Sequence, residues 1–203
     1  MTTDEYEQSL KVLMDKTIYC EANRQIYKRL TELCGIGKTY EVVLEKGNLF
    51  FGMMVDNLLN ELLMELSRIY DEGSFGLLKV INIIYGNKEL STEYCNKLGL
   101  SKKVINQLVI DVKQIYDGVK ECREKLFTIR DKHLAHTDKD FVFDYGALYK
   151  DFTWRNVEVL IEAAAEIINR LTDLLNGTQI NYNWIDDGNV NIVIHAMYKG
   201  LNS

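Results

Sequence analysis

The sequence predicts an all-α chain: an antiparallel helical bundle, finished by a C-terminal β-hairpin. Three observations carry that expectation. The 203 residues contain no proline, so long helices can run uninterrupted. Apolar residues recur at steps of three and four through most of the chain, the spacing of one helical face. After Gly177 the period changes to two, the spacing of a strand.

The elements follow in order. Leu10, Leu13, Met14, Thr17, Ile18 and Tyr27 predict a helix from about Asp4 to Cys34, stopped by Gly35 and Gly37. A second helix is expected from Thr39 or Asn48 to Tyr70, with Gly47 as an interruption. Phe51, Met54, Val55, Leu58, Leu59, Leu62, Leu63 and Leu66 give it a broad apolar face. A shorter helix follows Ser74 and carries Leu77, Leu78, Ile81 and Ile84. Ser91 and Ser101 are expected as N-caps of the next two. The helix from Ser101 is the most regular. Ile105, Leu108, Val112, Ile115, Val119, Cys122, Leu126 and Ile129 form a seven-residue stripe, a seam for lengthwise packing. A last helix, Thr153 to Asn176, is closed by Gly177, and residues 136–150 form the loop before it.

In the tail, Ile180, Tyr182 and Trp184 alternate with asparagines, and Val190, Ile192, Ile194 and Ala196 alternate again. A hairpin turning at Asp187-Gly188 is the expectation. An isolated hairpin is marginal, so it should pack on the bundle or on another chain. The division expected is a bundle over residues 1–177 and a hairpin appendage over 178–203.

Composition excludes several classes. A net charge of −6 does not suit a uniformly basic, sequence-blind nucleic-acid binder. A local exception lies between Lys120 and Lys139, where six basic residues face four acidic ones. Cys20, Cys34, Cys95 and Cys122 make no CxxC pair and no zinc spacing, so free thiols in a reducing compartment are expected. The acidic start MTTDEYEQ is unlike a signal peptide. The apolar run LFFGMMVDNLLNELLMEL is broken by Asp56, Asn57, Asn60 and Glu61, too polar for a membrane span. The expectation is a cytoplasmic protein with no membrane partner.

The chemistry concentrates in RDKHLAH, Arg130 to His136. Carried past Ile129, the stripe's next steps land on His133 and His136, where seven turns of apolar residues lead one to expect more. Arg130, His133 and His136 fan over an arc of roughly 120°, with the outer two ~9 Å apart along the axis. One helix end thus presents a permanent cation and two groups that titrate near neutral pH. Arginine grips phosphate through a planar fork. Histidine moves protons at cellular pH. Together they suit RNA cleavage without metal: the ribose 2′-oxygen attacks the adjacent phosphorus and leaves a 2′,3′-cyclic phosphate. DNA lacks that hydroxyl and is spared. A second copy across a two-fold axis would help complete so small a site.

Bland alternatives stand beside this one. Seven arginines and three histidines yield such a spacing by chance about 0.3 times per chain of this length. A helix-end histidine bonded to the last carbonyls is the common structural role. A metal held by His133 and His136 with Asp138 or Asp140 lacks a third strong ligand. The loop DKDFVFD lacks the glycine of a calcium loop.

The same residues carry a family resemblance. Arg130-Asp131-Lys132-His133-Leu134-Ala135-His136 resembles the signature of the HEPN superfamily, Arg, four to six residues, His. Continued into Thr137-Asp138, and joined by the earlier Glu65 to Asp71, it is similar to the abortive-infection AbiU-like branch. The likeness runs roughly from Thr3 to Gly177. It implies a bundle that dimerises through the motif face and works as a metal-independent ribonuclease in phage defence or as a toxin. It implies no cofactor, and in some members a nucleotidyltransferase-type antitoxin partner. By position, Arg130 would bind the scissile phosphate and His136 would be catalytic. Asp131 matches the polar residue after the arginine, and His133 has no fixed role. Arg68 and Asp71 would support the site from another helix, or would form an i, i+3 surface pair. Some HEPN domains keep the bundle without nuclease activity. The alternative is therefore an inactive helical module that binds a nucleotide, RNA or a protein.

Overall fold

The computed structural model describes residues 1–73, 75–131, 151–177, 179, 181 and 188–201. In chain order the helices are α1 (Thr3–Cys34), α2 (Glu41–Lys46), α3 (Asn48–Tyr70), α4 (Leu77–Gly86), α5 (Lys88–Leu98), α6 (Lys102–Gly118), α7 (Lys120–Ile129), α8 (Trp154–Asn176) and α9 (Gly188–Leu201). No strand occurs among the described residues.

The chain divides into two compact units. One takes Met1–Ile18 with the described residues of Leu63–Asn181, and the other takes Tyr19–Leu62 with those of Tyr182–Ser203. In the first unit α8 packs along α6 and α7, and α4 packs on α5 and α6. Its core is apolar and fully covered: Leu66, Ile69, Ile81, Ile84, Val112, Leu126, Leu160, Ile167 and Leu171. Buried tyrosines tie elements through their hydroxyls. Tyr6 donates to the Val80 carbonyl at 3.3 Å and Tyr70 to the Leu160 carbonyl at 2.6 Å. Each hydroxyl keeps a partner while its ring fills core volume.

Local signals set the boundaries. Gly177 takes φ 69° and closes α8 in the left-handed conformation, as its position predicts. Asn156 reaches back to accept the Thr153 N–H at 2.7 Å at the start of the same helix. The cap of α5 is Asn87, not the expected Ser91. Its side chain accepts from the N–H groups of Glu89 and Leu90, both at 3.1 Å, while Ser91 already lies inside α5. Asn and Ser cap about equally well, so the earlier of two candidates starts the helix. Ser101 does hold the N-cap position of α6, with extended backbone, but its hydroxyl makes no capping bond.

Two expectations are corrected. The long helix from Ser101 is broken at Val119 into α6 and α7, and its buried side is rotated. Ile105, Val109, Val112, Tyr116, Val119, Arg123, Leu126 and Ile129 are buried, whereas Leu108, Ile115 and Cys122 are only half-buried. Both stripes step by three and four, and the one with Tyr116 and Arg123 is buried, these two residues meeting Tyr70 and Glu72 at the end of α3.

The C-terminal β-hairpin is the second correction. Gly188, expected in its turn, starts α9. Val190, Ile194 and Tyr198 lie four apart on one helical face and pack in the second unit's core with Leu30, Cys34, Val43 and Phe51. A strand would set Ile192 beside Ile194, yet Ile192 is 69% exposed and Ile194 1%. α9 rests on α2. It is pinned by Asn191, which accepts from Arg29 at 2.8 Å, and by His195 Nδ1, 3.1 Å from the Tyr40 hydroxyl. The first half of the expected hairpin, Ile180 and residues 182–187, lies outside the described residues.

Candidate functional site

The site is built where α7 ends beside the turn that follows α3. The helical backbone of α7 continues through Arg130, at φ −53° and ψ −52°. Arg130 follows Val109, Tyr116 and Arg123 at intervals of seven, so it extends the buried side of the helix pair to its polar end. Its side chain is 28% exposed. The guanidinium lies 4.8 Å from the centre of the Phe127 ring, which supports it from one turn back. Its Nε donates to Asp131 Oδ1 at 2.7 Å. That bond comes first in raising the guanidinium's pKa, partial burial opposes it, and the charges of Asp131 and Asp71 add to it. The cation is therefore permanent, held by the Asp131 carboxylate, with the charge of Asp71 also acting on it.

Asp71 comes from the turn after α3. Its Oδ1 accepts the Gly73 N–H at 3.1 Å. Gly76 lets this turn close tightly: a Cβ there would sit 2.6 Å from the Asp71 carbonyl oxygen and 2.7 Å from that of Ile69. No larger residue fits without moving backbone.

Next to Asp71, Glu72 serves the other arginine of the same face. It accepts from Arg123 Nη1 at 3.0 Å and from the Tyr116 hydroxyl at 3.3 Å. The Arg123 guanidinium stacks on the Tyr116 ring at 3.8 Å. Burial, first among its causes, pushes the Tyr116 phenol well above its ordinary range, so it stays a donor.

Of the residues the sequence singles out, the structure brings Arg130, Asp131 and Asp71 together. Arg68 pairs with Glu65 at 2.8 Å, and Lys16 joins the same carboxylate at 2.8 Å. Burial pushes the Glu65 carboxyl up. Hydrogen bonds from Lys16 and Arg68 outweigh that, and it ends below the usual carboxylate range. His133 and His136 lie outside the described residues, as do Asp138 and Asp140. Among the described residues no three His, Cys, Asp or Glu side chains gather as a metal site. No helix is long and apolar enough to cross a membrane, again among the described residues. Sequence reasoning missed Arg123, Tyr116 and Glu72. The signal was there, since Tyr116, Arg123 and Arg130 are spaced by seven, but the neighbouring stripe of Leu108, Ile115 and Cys122 masked it.

Compared with protein families, residues 7–194 match the HEPN family described as AbiU2. The chain belongs to the AbiU2 family of HEPN proteins. The match takes in the Glu65–Asp71 segment, the whole of α6 and α7, and the RDKHLAH motif. It also reaches Ile194 in α9, beyond the extent of the resemblance visible in the sequence. No curated protein and no solved structure matches the chain. For this AbiU2 chain the helical architecture and the family agree. What its site does is argued from the site's own residues.

Proposed function

We propose that this AbiU2-family chain is a metal-independent endoribonuclease of phage defence or a toxin system. The observation that carries the reading is Arg130: a buttressed, permanently charged guanidinium at a helix end, six residues before His136. In the proposed reaction Arg130 binds the non-bridging oxygens of the scissile phosphate. His136 takes the proton of the ribose 2′-hydroxyl. The 2′-oxygen then attacks phosphorus and the 5′-oxygen leaves. An imidazolium, that of His136 or of a second copy, returns a proton to the leaving oxygen. The products are a 2′,3′-cyclic phosphate and a 5′-hydroxyl, and no water is consumed in this step. His133 assists or lines the site. Asp131 and Asp71 orient the guanidinium, and Arg68 supports α3 through Glu65. A carboxyl end of a helix repels anions, which is why phosphate there needs Arg130.

We further propose a homodimer through the motif face, acting in the cytoplasm on RNA, with an antitoxin as a further partner. The test is cleavage of RNA by purified protein in EDTA. Wild type should leave cyclic-phosphate ends, and Arg130→Ala and His136→Ala should each lose activity by at least about a hundredfold, the usual worth of a positioned acid–base or charge group. Cleavage that survives both substitutions refutes the reading.

One observation favours a second reading, an inactive module that binds a nucleotide, RNA or a protein. Arg130 Nε is already engaged by Asp131, and the charge of Asp71 also acts on the guanidinium. Intact RNA with wild type, together with phosphate-dependent binding lost in Arg130→Ala, would select it.

A further inference from the structure

We infer that Glu72, Tyr116 and Arg123 form a splint across the α6–α7 break, and that this splint sets where Arg130 is presented. α6 ends at Gly118 and α7 begins at Lys120. Val119 between them has φ −104° and ψ 17°, outside regular helix. A ten-residue helix is ~15 Å long, so a tilt of ~10° at its base moves its far end by roughly 2.6 Å. Arg130 sits at that far end. A site that grips phosphate tolerates far less: about 1 Å of misplacement can cost on the order of a hundredfold in rate.

Three contacts close the break. Tyr116 lies in the last turn of α6 and Arg123 in the first turn of α7, and they stack at 3.8 Å. Glu72 accepts from both, Arg123 at 3.0 Å and Tyr116 at 3.3 Å. Tyr116 also reaches the Tyr70 carbonyl at 3.3 Å, which ties the joint to the end of α3. The next residue toward α3 is Asp71, whose charge acts on Arg130. One short turn therefore contacts the α6–α7 joint through Glu72 and acts on the working end through Asp71.

Stability does not explain this arrangement. Arg123 is 5% exposed, and its Nε has no partner among the described residues. A leucine in that seam position would avoid burying a cation, and buried ion pairs are often no more stable than apolar replacements. Glu72 is 57% exposed, so solvent weakens its pairing with Arg123. Nor is Arg123 a phosphate ligand, being enclosed by Tyr116 and Glu72. Arg123 and Glu72 are positioning residues.

Their effect on cleavage rests on the ribonuclease reading; their effect on Arg130 does not. The experiment follows the Nε–H resonance of Arg130 in ¹⁵N-labelled protein, assigned by its loss in Arg130→Lys. RNA cleavage and the thermal midpoint are measured in parallel. Glu72→Ala and Tyr116→Phe should each shift that resonance and lower cleavage about tenfold or more, with the Tyr116→Phe midpoint within a few degrees of wild type. Glu72→Gln should restore part of both. An unmoved Arg130 resonance in Glu72→Ala and Tyr116→Phe overturns the inference. So does a moved resonance with unchanged cleavage, or a collapse of the Tyr116→Phe midpoint, which would make the cluster merely structural. If wild type cuts no RNA, the ribonuclease reading fails while the resonance still decides the splint.

Discussion

Tyr70→Phe removes one oxygen from the centre of the first unit. The ring is fully buried, and its hydroxyl donates to the Leu160 carbonyl at 2.6 Å, joining the end of α3 to α8. The phenylalanine ring fills the same space, so no cavity opens beyond the oxygen itself. The acceptor is not orphaned either. Leu160 lies inside α8, where the N–H four residues on already bonds its carbonyl. The loss is therefore that of one net hydrogen bond, about 1 kcal/mol, and not the larger penalty of a stranded buried group. Urea unfolding of wild type and variant should give that difference with an unchanged slope. The thermal midpoint of a chain this size should fall by roughly 2–4 °C. Tyr70 also anchors the turn that bears Asp71 and Glu72, so RNA cleavage should fall further than stability does. A loss above about 3 kcal/mol would mean that the Leu160 carbonyl depends on Tyr70. No loss at all would mean that the bond does not form in solution.

Ile194→Asp should strip α9 from the second unit and expose residues 188–201 to proteolysis, while Ile192→Asp, 69% exposed in the wild type, should be tolerated; equal damage from both would restore the hairpin. Asp131→Asn removes a negative charge but keeps a hydrogen-bond acceptor for Arg130, so RNA affinity should rise severalfold at low salt and converge with wild type at high salt; unchanged affinity would show that Asp131 does not compete with phosphate. Glu65 has a folded pKa below its ordinary value of 4.5, so its stabilisation is present above that value and lost as pH falls through the lower folded one. Acid titration of Glu65→Gln should flatten the stability slope in that window, and an unaltered slope would contradict the Lys16–Glu65–Arg68 pairing.

Much of the fold is legible because its punctuation is local. Cys34 before Gly35, Gly47 between α2 and α3, and Thr153 and Gly177 around α8 each act through their own backbone. The misses share one cause, a pattern that satisfies two geometries. Val190, Ile192 and Ile194 alternate as a strand would, but 190, 194 and 198 also make a helical face, and only burial against Phe51 and Val43 decides. In α6 and α7 two adjacent stripes have the same step, and the apolar one attracted attention. The chosen stripe includes a charged residue, Arg123, whose burial depends on Glu72 from a turn some fifty residues earlier. A partner that distant cannot be read from spacing. At the site the motif itself announces Arg130 and Asp131, and Asp71 belongs beside them. Arg68 stands three residues before Asp71, and the structure pairs it with Glu65.

The placement of α9 has a consequence for synthesis on the ribosome. Leu30, Cys34, Val43 and Phe51 are all made before residue 62, but their cover, Val190 to Tyr198, is made roughly 130 residues later. At roughly 5–20 residues per second, the interval from residue 62 to residue 190 lasts about 6 to 26 seconds. Throughout it the nascent chain carries an apolar cluster without its lid. The described residues of the first unit, with Arg130 and its splint, are complete at Asn181, before α9 is made. Chaperone capture and misassembly of this protein should therefore concentrate on the helices between Tyr19 and Leu62, and the half that bears the motif should fold ahead of the half that waits for α9.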